Sequence, residues 1–162
     1  MTHTPRQIVS QQLSRTASLL VVWPVRKVFP LFTPLGEKAW AHGWDPFIIW
    51  DSQTDIVEHM VFLTHGGLHG STEHYLWTVI KYEPGKFLVE YQVTASDRVW
   101  FITVVCKGLG EQTNVDVTYS YIATAESGRE KVQHQLNTIF ASGLQDWQAA
   151  INYYIKTGKQ LH

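Results

Sequence analysis

Apolar and polar residues alternate along seven short stretches of the chain, which is the pattern of β-strands with one buried face. Turn-forming residues such as Pro and Gly separate these stretches. The predicted strands cover residues 15–23, 47–51, 58–65, 73–82, 86–94, 98–107 and 114–123. Because the last six follow one another with short connections, we expect them to form an antiparallel meander.

The last three predicted strands show most clearly which side of the sheet is buried. One parity carries large apolar residues, including Tyr91, Trp100 and Tyr119. The opposite parity carries polar residues such as Glu90 and Asp116. Since successive side chains of a strand point to opposite faces, the sheet is predicted to have one buried and one hydrated face.

Proline punctuates the stretch after the first predicted strand and excludes a further strand there. Thr33 followed by Pro34 is typical of a helix N-cap with proline at the first helical position. Two short helices are therefore predicted, at about residues 24–32 and 33–41.

The C-terminal region has apolar residues every three or four positions from Val132 to Ile155, the period of an amphipathic helix. Ser127 and Glu130 have the spacing of a capping box, and Gly158 is a suitable helix end. We therefore expect one uninterrupted helix, roughly 45 Å long at about 1.5 Å per residue.

Composition limits the protein to a single domain without a strongly charged surface. The 162 residues are 44% hydrophobic and carry a formal net charge of −1. Residues 15–159 are predicted to form one domain behind a flexible N-terminal segment, 1–14. We expect neither nucleic-acid binding nor stable membrane insertion, since no basic run or long apolar span is present. The polar N-terminus and the single Cys106 favour a cytoplasmic protein.

A one-sided sheet must cover its apolar face, and only the predicted C-terminal helix is long enough to do so. The predicted fold is therefore α+β, a helix-grip in which a curved antiparallel sheet of about seven strands wraps around a long helix. The order of elements resembles the START-like (SRPBCC) superfamily over residues 15–157. The sequence blocks that carry the resemblance are VFPLFTPLGEK (28–38), Trp40, GWDP (43–46), THGG (64–67) and HG (69–70).

The resemblance implies an internal cavity that binds a small hydrophobic or amphipathic molecule, without indicating a reaction. The high aromatic content, 13% of residues, is consistent with an aromatic wall for such a cavity or with a packed aromatic core. The side chains predicted to line the cavity are Trp44, His65, Trp77, Tyr91, Trp100, Tyr119, Phe140 and Trp147.

A histidine cluster with interspersed glycines is the densest polar feature of the sequence, formed by His59, His65, His69 and His74. Three imidazoles on a glycine-rich loop can bind Zn²⁺, but the spacing matches no known zinc signature. The favoured interpretation is structural, so no metal site is predicted. His65 and His69, together with Tyr91, are the candidate proton-transfer residues. Glu37 is an acid that can reach the cavity mouth.

Three functions remain open on these observations. The first is a small-molecule carrier or sequestering protein. The second is an enzyme of the polyketide cyclase, aromatase or dehydratase type that uses the same cavity without a metal or nucleotide cofactor. The third is a protein-partner module with a vestigial cavity. Exposed aromatic residues are also consistent with a homodimer.

Overall fold

A computed structural model describes residues 11–50, 55–66 and 73–162 of the chain. The strands are β1 (Gln12–Val21), β2 (Phe47–Trp50), β3 (Val61–Gly66), β4 (Glu73–Glu83), β5 (Leu88–Thr94), β6 (Arg98–Leu109) and β7 (Gln112–Ala123). The α-helices are α1 (Val25–Val28), α2 (Gly128–Ile139) and α3 (Gln145–Thr157). Short 3₁₀ helices cover Phe29–Phe32, Gly36–Ala39 and Pro84–Lys86.

The seven strands form one sheet in the order β1-β7-β6-β5-β4-β3-β2, and every neighbouring pair is antiparallel. The chain thus runs as a meander from β2 to β7, and β1 adds to the far edge beside β7. The short helices follow β1, and α2 and α3 pack against the sheet at the C-terminal end of the chain. The predicted helix-grip architecture is confirmed.

The predicted division of the sheet into a buried and a hydrated face is also confirmed. Tyr91, Trp100 and Tyr119 are all buried in the core. On the opposite face, the hydroxyls of Ser14 and Ser120 form a hydrogen bond 2.7 Å long between β1 and β7. Polar side chains there hydrogen-bond across strands, whereas the inner face carries the apolar core.

Four strand starts differ from the prediction, including that of β7, which begins at Gln112 and not at residue 114. Strand β1 begins at Gln12, earlier than the expected residue 15. Strand β3 begins only at Val61, because His59 has a left-handed backbone with φ 71° and the ladder is irregular there. Strand β5 begins at Leu88, since Phe87 has φ 52° and ends a 3₁₀ turn that occupies the predicted start.

The expected uninterrupted C-terminal helix is wrong, because the structure has two helices, α2 and α3. The break lies at Gly143 and Leu144, whose φ angles of 62° and 65° cannot continue a right-handed helix. The side chain of Leu144 is fully buried, so packing holds this residue in its left-handed conformation. The Ser142 hydroxyl accepts a hydrogen bond from the backbone N–H of Asp146 at 3.3 Å and thereby caps the start of α3.

The two predicted caps have different outcomes. Ser127 makes no capping bond to α2, since its hydroxyl donates instead to the Asp97 carboxylate at 2.9 Å. Thr33 does cap the next turn, because its hydroxyl accepts a hydrogen bond from the backbone N–H of Gly36 at 3.1 Å. In place of the two expected short helices, α1 continues directly into the first 3₁₀ helix, and a second 3₁₀ helix follows Thr33.

No helix in the described parts of the chain is long and apolar enough to cross a membrane.

Candidate functional site

A cavity of about 300 Å³ lies between the inner face of the sheet, helix α3 and the segment 37–44. Strands β4, β5, β6 and β7 each contribute wall residues, and α3 contributes Trp147. The lining residues are Glu37, Trp40, Ala41, His42, Gly43, Trp44, Trp77, Tyr91, Ile102, Val104, Tyr119 and Trp147.

Aromatic rings in mutual contact build most of the cavity wall. The ring centroids of Trp44 and Trp77 are 5.3 Å apart with nearly perpendicular planes, and Trp77 meets Tyr91 at 5.7 Å in the same way. On the other side, Trp40 and Trp147 are 5.8 Å apart. Such edge-to-face contacts stabilise the rings relative to one another, so the wall is rigid.

Four of these aromatic side chains direct their polar atom into the protein. The Trp40 and Trp44 indole N–H groups donate to the backbone carbonyls of Leu31 and Pro34, at 2.8 and 2.7 Å. The other two bonds run from Trp77 Nε1 to Thr64 Oγ1 at 2.8 Å and from the Tyr91 hydroxyl to the Phe32 carbonyl at 2.7 Å. These four side chains therefore offer the cavity ring surface rather than hydrogen-bond donors.

Glu37 is the acidic residue of the cavity lining. The residue as a whole is half-buried, but its carboxyl group lies inside the protein, where burial raises its pKa to about 8. Its charge would also disfavour ionisation of Tyr91 and Tyr119, whose pKa values are raised well above 10, chiefly by burial. A carboxyl with this pKa can give up or accept a proton near neutral pH.

The turn that positions Glu37 depends on close backbone packing. The Glu37 N–H donates to the Thr33 carbonyl at 2.9 Å, and Thr33 caps the same turn. A Cβ atom at Gly36 would lie 1.7 Å from the Pro30 carbonyl oxygen, so only glycine fits there. These contacts within the block 28–38 hold the turn from which Glu37 lines the cavity.

The structure brings five of the eight predicted cavity residues together and places three elsewhere. Trp44, Trp77, Tyr91, Tyr119 and Trp147 line the cavity. Trp100 lies outside the lining and packs against Tyr75 and Tyr121, while Phe140 contacts the Tyr119 ring at 5.6 Å without lining the cavity. His65 lines a neighbouring hollow that shares Gly43, Trp44 and Trp77 with the cavity.

The three predicted proton-transfer residues lie in different settings. His65 is exposed at the end of β3, and His69 lies outside the described residues. Tyr91 does line the cavity, but its hydroxyl is held by the Phe32 carbonyl and its pKa is raised well above 10. Glu37, with a pKa near neutrality, is better suited to proton transfer than Tyr91.

Three of the four histidines of the predicted cluster, His59, His65 and His74, are among the described residues. His65 and His74 face each other on β3 and β4 with ring centroids 4.8 Å apart. In the described part of the chain, no three His, Cys, Asp or Glu side chains are grouped as a metal site requires. Because His69 is not described, a zinc site that includes it is not tested by this structure.

Sequence reasoning named Glu37 only as an acid within reach of the mouth and did not predict Trp40, His42, Ile102 or Val104 as cavity residues. A signal was present for Glu37, which is the only acid in the aromatic block 28–44. Ile102 and Val104 share the inward parity of Trp100 on β6, so strand position, rather than face, separates them from it.

No protein-family profile and no curated protein sequence matches this chain. Solved structures do resemble it. The Zhui aromatase/cyclase from Streptomyces sp. R1128 superposes with a TM-score of 0.70 at 13% identity, covering 93% of this chain and 100% of that one. Norcoclaurine synthase from Thalictrum flavum has a TM-score of 0.65 at 14% identity, covering 96% and 95%. Ara h 8.0201 has a TM-score of 0.62 at 12% identity, covering 91% and 99%.

These neighbours and the strand order together define the fold of the molecule. The chain has the predicted helix-grip fold, which these solved structures share at 12–14% identity. At such low identity the likeness establishes the fold, and the chemistry has to be argued from this chain's own residues.

Proposed function

We propose that the protein binds a small hydrophobic or amphipathic molecule in the cavity, as a carrier or sequestering protein. The observation that supports this most directly is the cavity of about 300 Å³ inside an aromatic wall. This volume is at the lower end of small-molecule sites, which span about 300–1,000 Å³. A wall that is mostly apolar with few polar groups is the usual composition of such sites.

The structural neighbours support small-molecule binding in this fold. The norcoclaurine synthase structure contains dopamine and hydroxybenzaldehyde, and the Streptomyces neighbour is an aromatase/cyclase. The first neighbour thus holds small aromatic compounds, and the name of the second describes an enzyme that forms aromatic rings. We propose that Trp44, Trp77, Tyr91, Tyr119 and Trp147 contact the ligand here, because they form the aromatic wall.

Intrinsic tryptophan fluorescence offers a direct test, since four of the lining residues are tryptophans. Titration with lipids, flavonoids, aromatic polyketides and organic amines is expected to quench or shift the emission for at least one class. Native mass spectrometry of protein purified from its own host is expected to show a co-purifying small molecule. No response across the panel and no co-purified mass would contradict ligand binding.

A variant that fills the cavity makes the test specific. Ala41→Phe adds a ring to the lining and is expected to weaken binding of any responding ligand at least tenfold. Ala39→Phe adds the same ring two positions earlier, at a residue outside the lining, and should leave affinity within about twofold. Equal loss in both variants would mean that the ligand does not occupy this cavity.

A second candidate function is an enzyme of the cyclase, aromatase or dehydratase type. The observation that favours it is Glu37, whose pKa of about 8 suits proton transfer inside an otherwise apolar cavity. If this is correct, Glu37→Gln should retain binding of the co-purified compound but stop its conversion. Unchanged conversion by the variant would exclude Glu37 as the proton-transfer group.

The homodimer remains a proposal. It is supported by the apolar side chains of edge strand β2, where Phe47 is 68% and Trp50 is 56% exposed. An exposed edge strand with apolar side chains is prone to pair with another chain. The native mass spectra described above also report the oligomeric state, and a purely monomeric spectrum at micromolar concentration would contradict it.

A further inference from the structure

The carboxyl group of Glu37 has no partner among the residues that the structure describes. It accepts no hydrogen bond and forms no ion pair with any residue that the structure describes. The buried carboxylate of Asp97, in contrast, forms ion pairs with Arg98 at 2.6 Å and with Lys131 at 2.8 Å. A lone buried carboxyl is costly to ionise unless a partner of opposite charge is brought to it.

The groups around Glu37 do not include a basic side chain of high pKa. No Lys or Arg is among the described residues that line the cavity, and His42 is its one imidazole. A ligand with a carboxylate or phosphate would therefore face an acid without a fixed cation to pair with it. This arrangement disfavours anionic ligands, including fatty acids.

The wall suits a cation better than a neutral polar molecule. Four of its aromatic side chains have their N–H or O–H bonded to the protein, so they present ring surface. The negative π-face of an indole or phenol attracts ammonium groups, and tryptophan does so most strongly. The combination of four indoles, two phenols and one carboxyl is the composition of a site for an organic cation.

We propose that the cavity binds a compact organic amine or quaternary ammonium compound, with Glu37 as its counter-ion and the indole rings as its walls. This inference rests on the proposed small-molecule binding and specifies the class of ligand. The ammonium group lies beside the Glu37 carboxylate, and the hydrocarbon part of the ligand fills the space against Ile102 and Val104.

The proposal predicts a defined pH dependence. In the free protein Glu37 holds its proton up to about pH 8, and a bound cation favours its ionised form. Cation affinity should therefore rise with pH between 6 and 9, and binding at pH 7 should release a proton. The titratable groups that face Glu37 are Tyr91, Tyr119 and His42, and both phenols stay protonated in this range.

A pair of probes with equal shape and different charge tests the proposal. Phenyltrimethylammonium is a permanent cation, and tert-butylbenzene is its neutral isostere. Calorimetry at pH 9 is expected to show that the cation binds at least tenfold more tightly than tert-butylbenzene. At pH 7 the measured heat of cation binding should vary with the ionisation enthalpy of the buffer, because binding releases a proton that the buffer takes up. The cation's affinity should fall at least tenfold at pH 6, whereas that of the neutral probe should change by less than twofold.

Two variants assign the effect to the right group. Glu37→Gln is expected to abolish both the preference for the cation and its pH dependence while tert-butylbenzene still binds. Glu130→Gln makes the same change at an exposed carboxyl of α2 outside the lining and should leave both intact. A preference that survives in Glu37→Gln, or that disappears in Glu130→Gln, would overturn the role given to Glu37.

The outcomes separate this inference from the proposed function. If the neutral probe, or the anion 4-tert-butylbenzoate, binds as tightly as the cation at pH 9, the cationic ligand class is wrong and small-molecule binding stands. If none of the three probes binds, the inference is overturned, and the panel and co-purification experiments then decide on small-molecule binding in general.

Discussion

At the scale of single residues, Glu37 is the position where the free energy of folding and the proposed function conflict. Burial raises its folded-state pKa to about 8 from an ordinary value of 4.5. The unfolded chain therefore releases this proton at lower pH than the folded protein does. The stability that the neutral form provides is complete below about pH 4.5 and is lost as pH rises through 8.

Glu37→Gln should therefore stabilise the protein at high pH. Glutamine keeps the shape of the neutral carboxyl and cannot ionise, so the variant should unfold much like the wild type at pH 5. At pH 9 it should be more stable by up to about 5 kcal/mol, since one pKa unit corresponds to about 1.4 kcal/mol and the pKa rises from 4.5 to about 8. Urea unfolding at the two pH values measures the difference. A gain that is equal at pH 5 and pH 9 would show that ionisation of Glu37 is not its cause.

At the scale of elements, the break between α2 and α3 determines which residues reach the cavity. Trp147 lies on α3 and lines the cavity, whereas Phe140 at the end of α2 only supports the Tyr119 ring. The reversal at Gly143 and Leu144 redirects the chain between them. A straight helix would give these two aromatic side chains a different spacing against the sheet.

Substitutions at Gly143 test this break by the sign of their effect. In a continuous helix, Gly143→Ala would stabilise the protein by about 1 kcal/mol through helix propensity. At the observed φ of 62°, the same change should destabilise it by about 1 kcal/mol, because a Cβ atom disfavours the left-handed region. Gly143→Asn should cost less, since asparagine tolerates this conformation. Thermal unfolding of the three proteins distinguishes the two cases, and a stabilised Gly143→Ala would contradict the break.

The break also shows what a hydrophobic period can and cannot predict. Phe140, Leu144 and Trp147 keep helical spacing straight through the interruption, so the period continues where the backbone does not. The strands were predictable because alternation requires only a repeat of two and one buried face. Parity could not, however, give the position along a strand, which is why Trp100 and Ile102 share a face and only Ile102 reaches the cavity.

The candidate site was less predictable than the fold for a related reason. Glu37 lies in a 3₁₀ helix, where neither the strand nor the helix period applies, and close packing of Gly36 on Pro30 determines its direction. Tyr91 lines the cavity, and the Phe32 carbonyl that holds its hydroxyl is distant in sequence. Partners of this kind depend on tertiary contacts that a local pattern does not contain.

At the scale of the whole molecule, a buried ionic network joins the sheet to α2. Arg98 is 1% exposed and donates to Glu73 on β4 at 2.9 Å, to Asp97 at 2.6 Å and to Gln135 on α2 at 2.7 Å. Lys131 of α2 adds a bond of 2.8 Å to Asp97. The network therefore connects three elements that are far apart in the chain.

Aromatic contacts link this network to the cavity. The Arg98 guanidinium lies 5.4 Å from the centre of the Trp100 ring, and Trp100 stacks on Tyr121 at 5.0 Å. Tyr121 in turn stacks on Tyr119, which lines the cavity. The inner face of β6 and β7 is thus a continuous row of aromatic rings, with the ionic cluster at one end and the cavity that Glu37 lines at the other.

The carboxylates of the network titrate in the opposite direction from Glu37. Hydrogen bonds from Arg98 lower the pKa of Glu73 to about 2. Burial alone would raise the pKa of Asp97, but hydrogen bonds from Lys131 and Arg98 lower it to about 2. Their contribution to stability is therefore present above about pH 4.5 and is lost as pH falls through 2.

Arg98→Met should consequently destabilise the protein by about 3–5 kcal/mol at pH 7, because the half-buried Glu73 carboxylate loses its main partner and the buried Asp97 carboxylate loses one of its partners. The deficit should shrink as pH falls from 4.5 towards 2, since both carboxyls are then neutral and no longer need the guanidinium. Arg129→Met removes an arginine whose ion pair with Glu126 is exposed, and it should cost less than about 1 kcal/mol at either pH. Urea unfolding of both variants between pH 7 and pH 2 measures these differences. A deficit for Arg98→Met that stays constant over this range would show that lost packing, rather than lost charge pairing, is its cause.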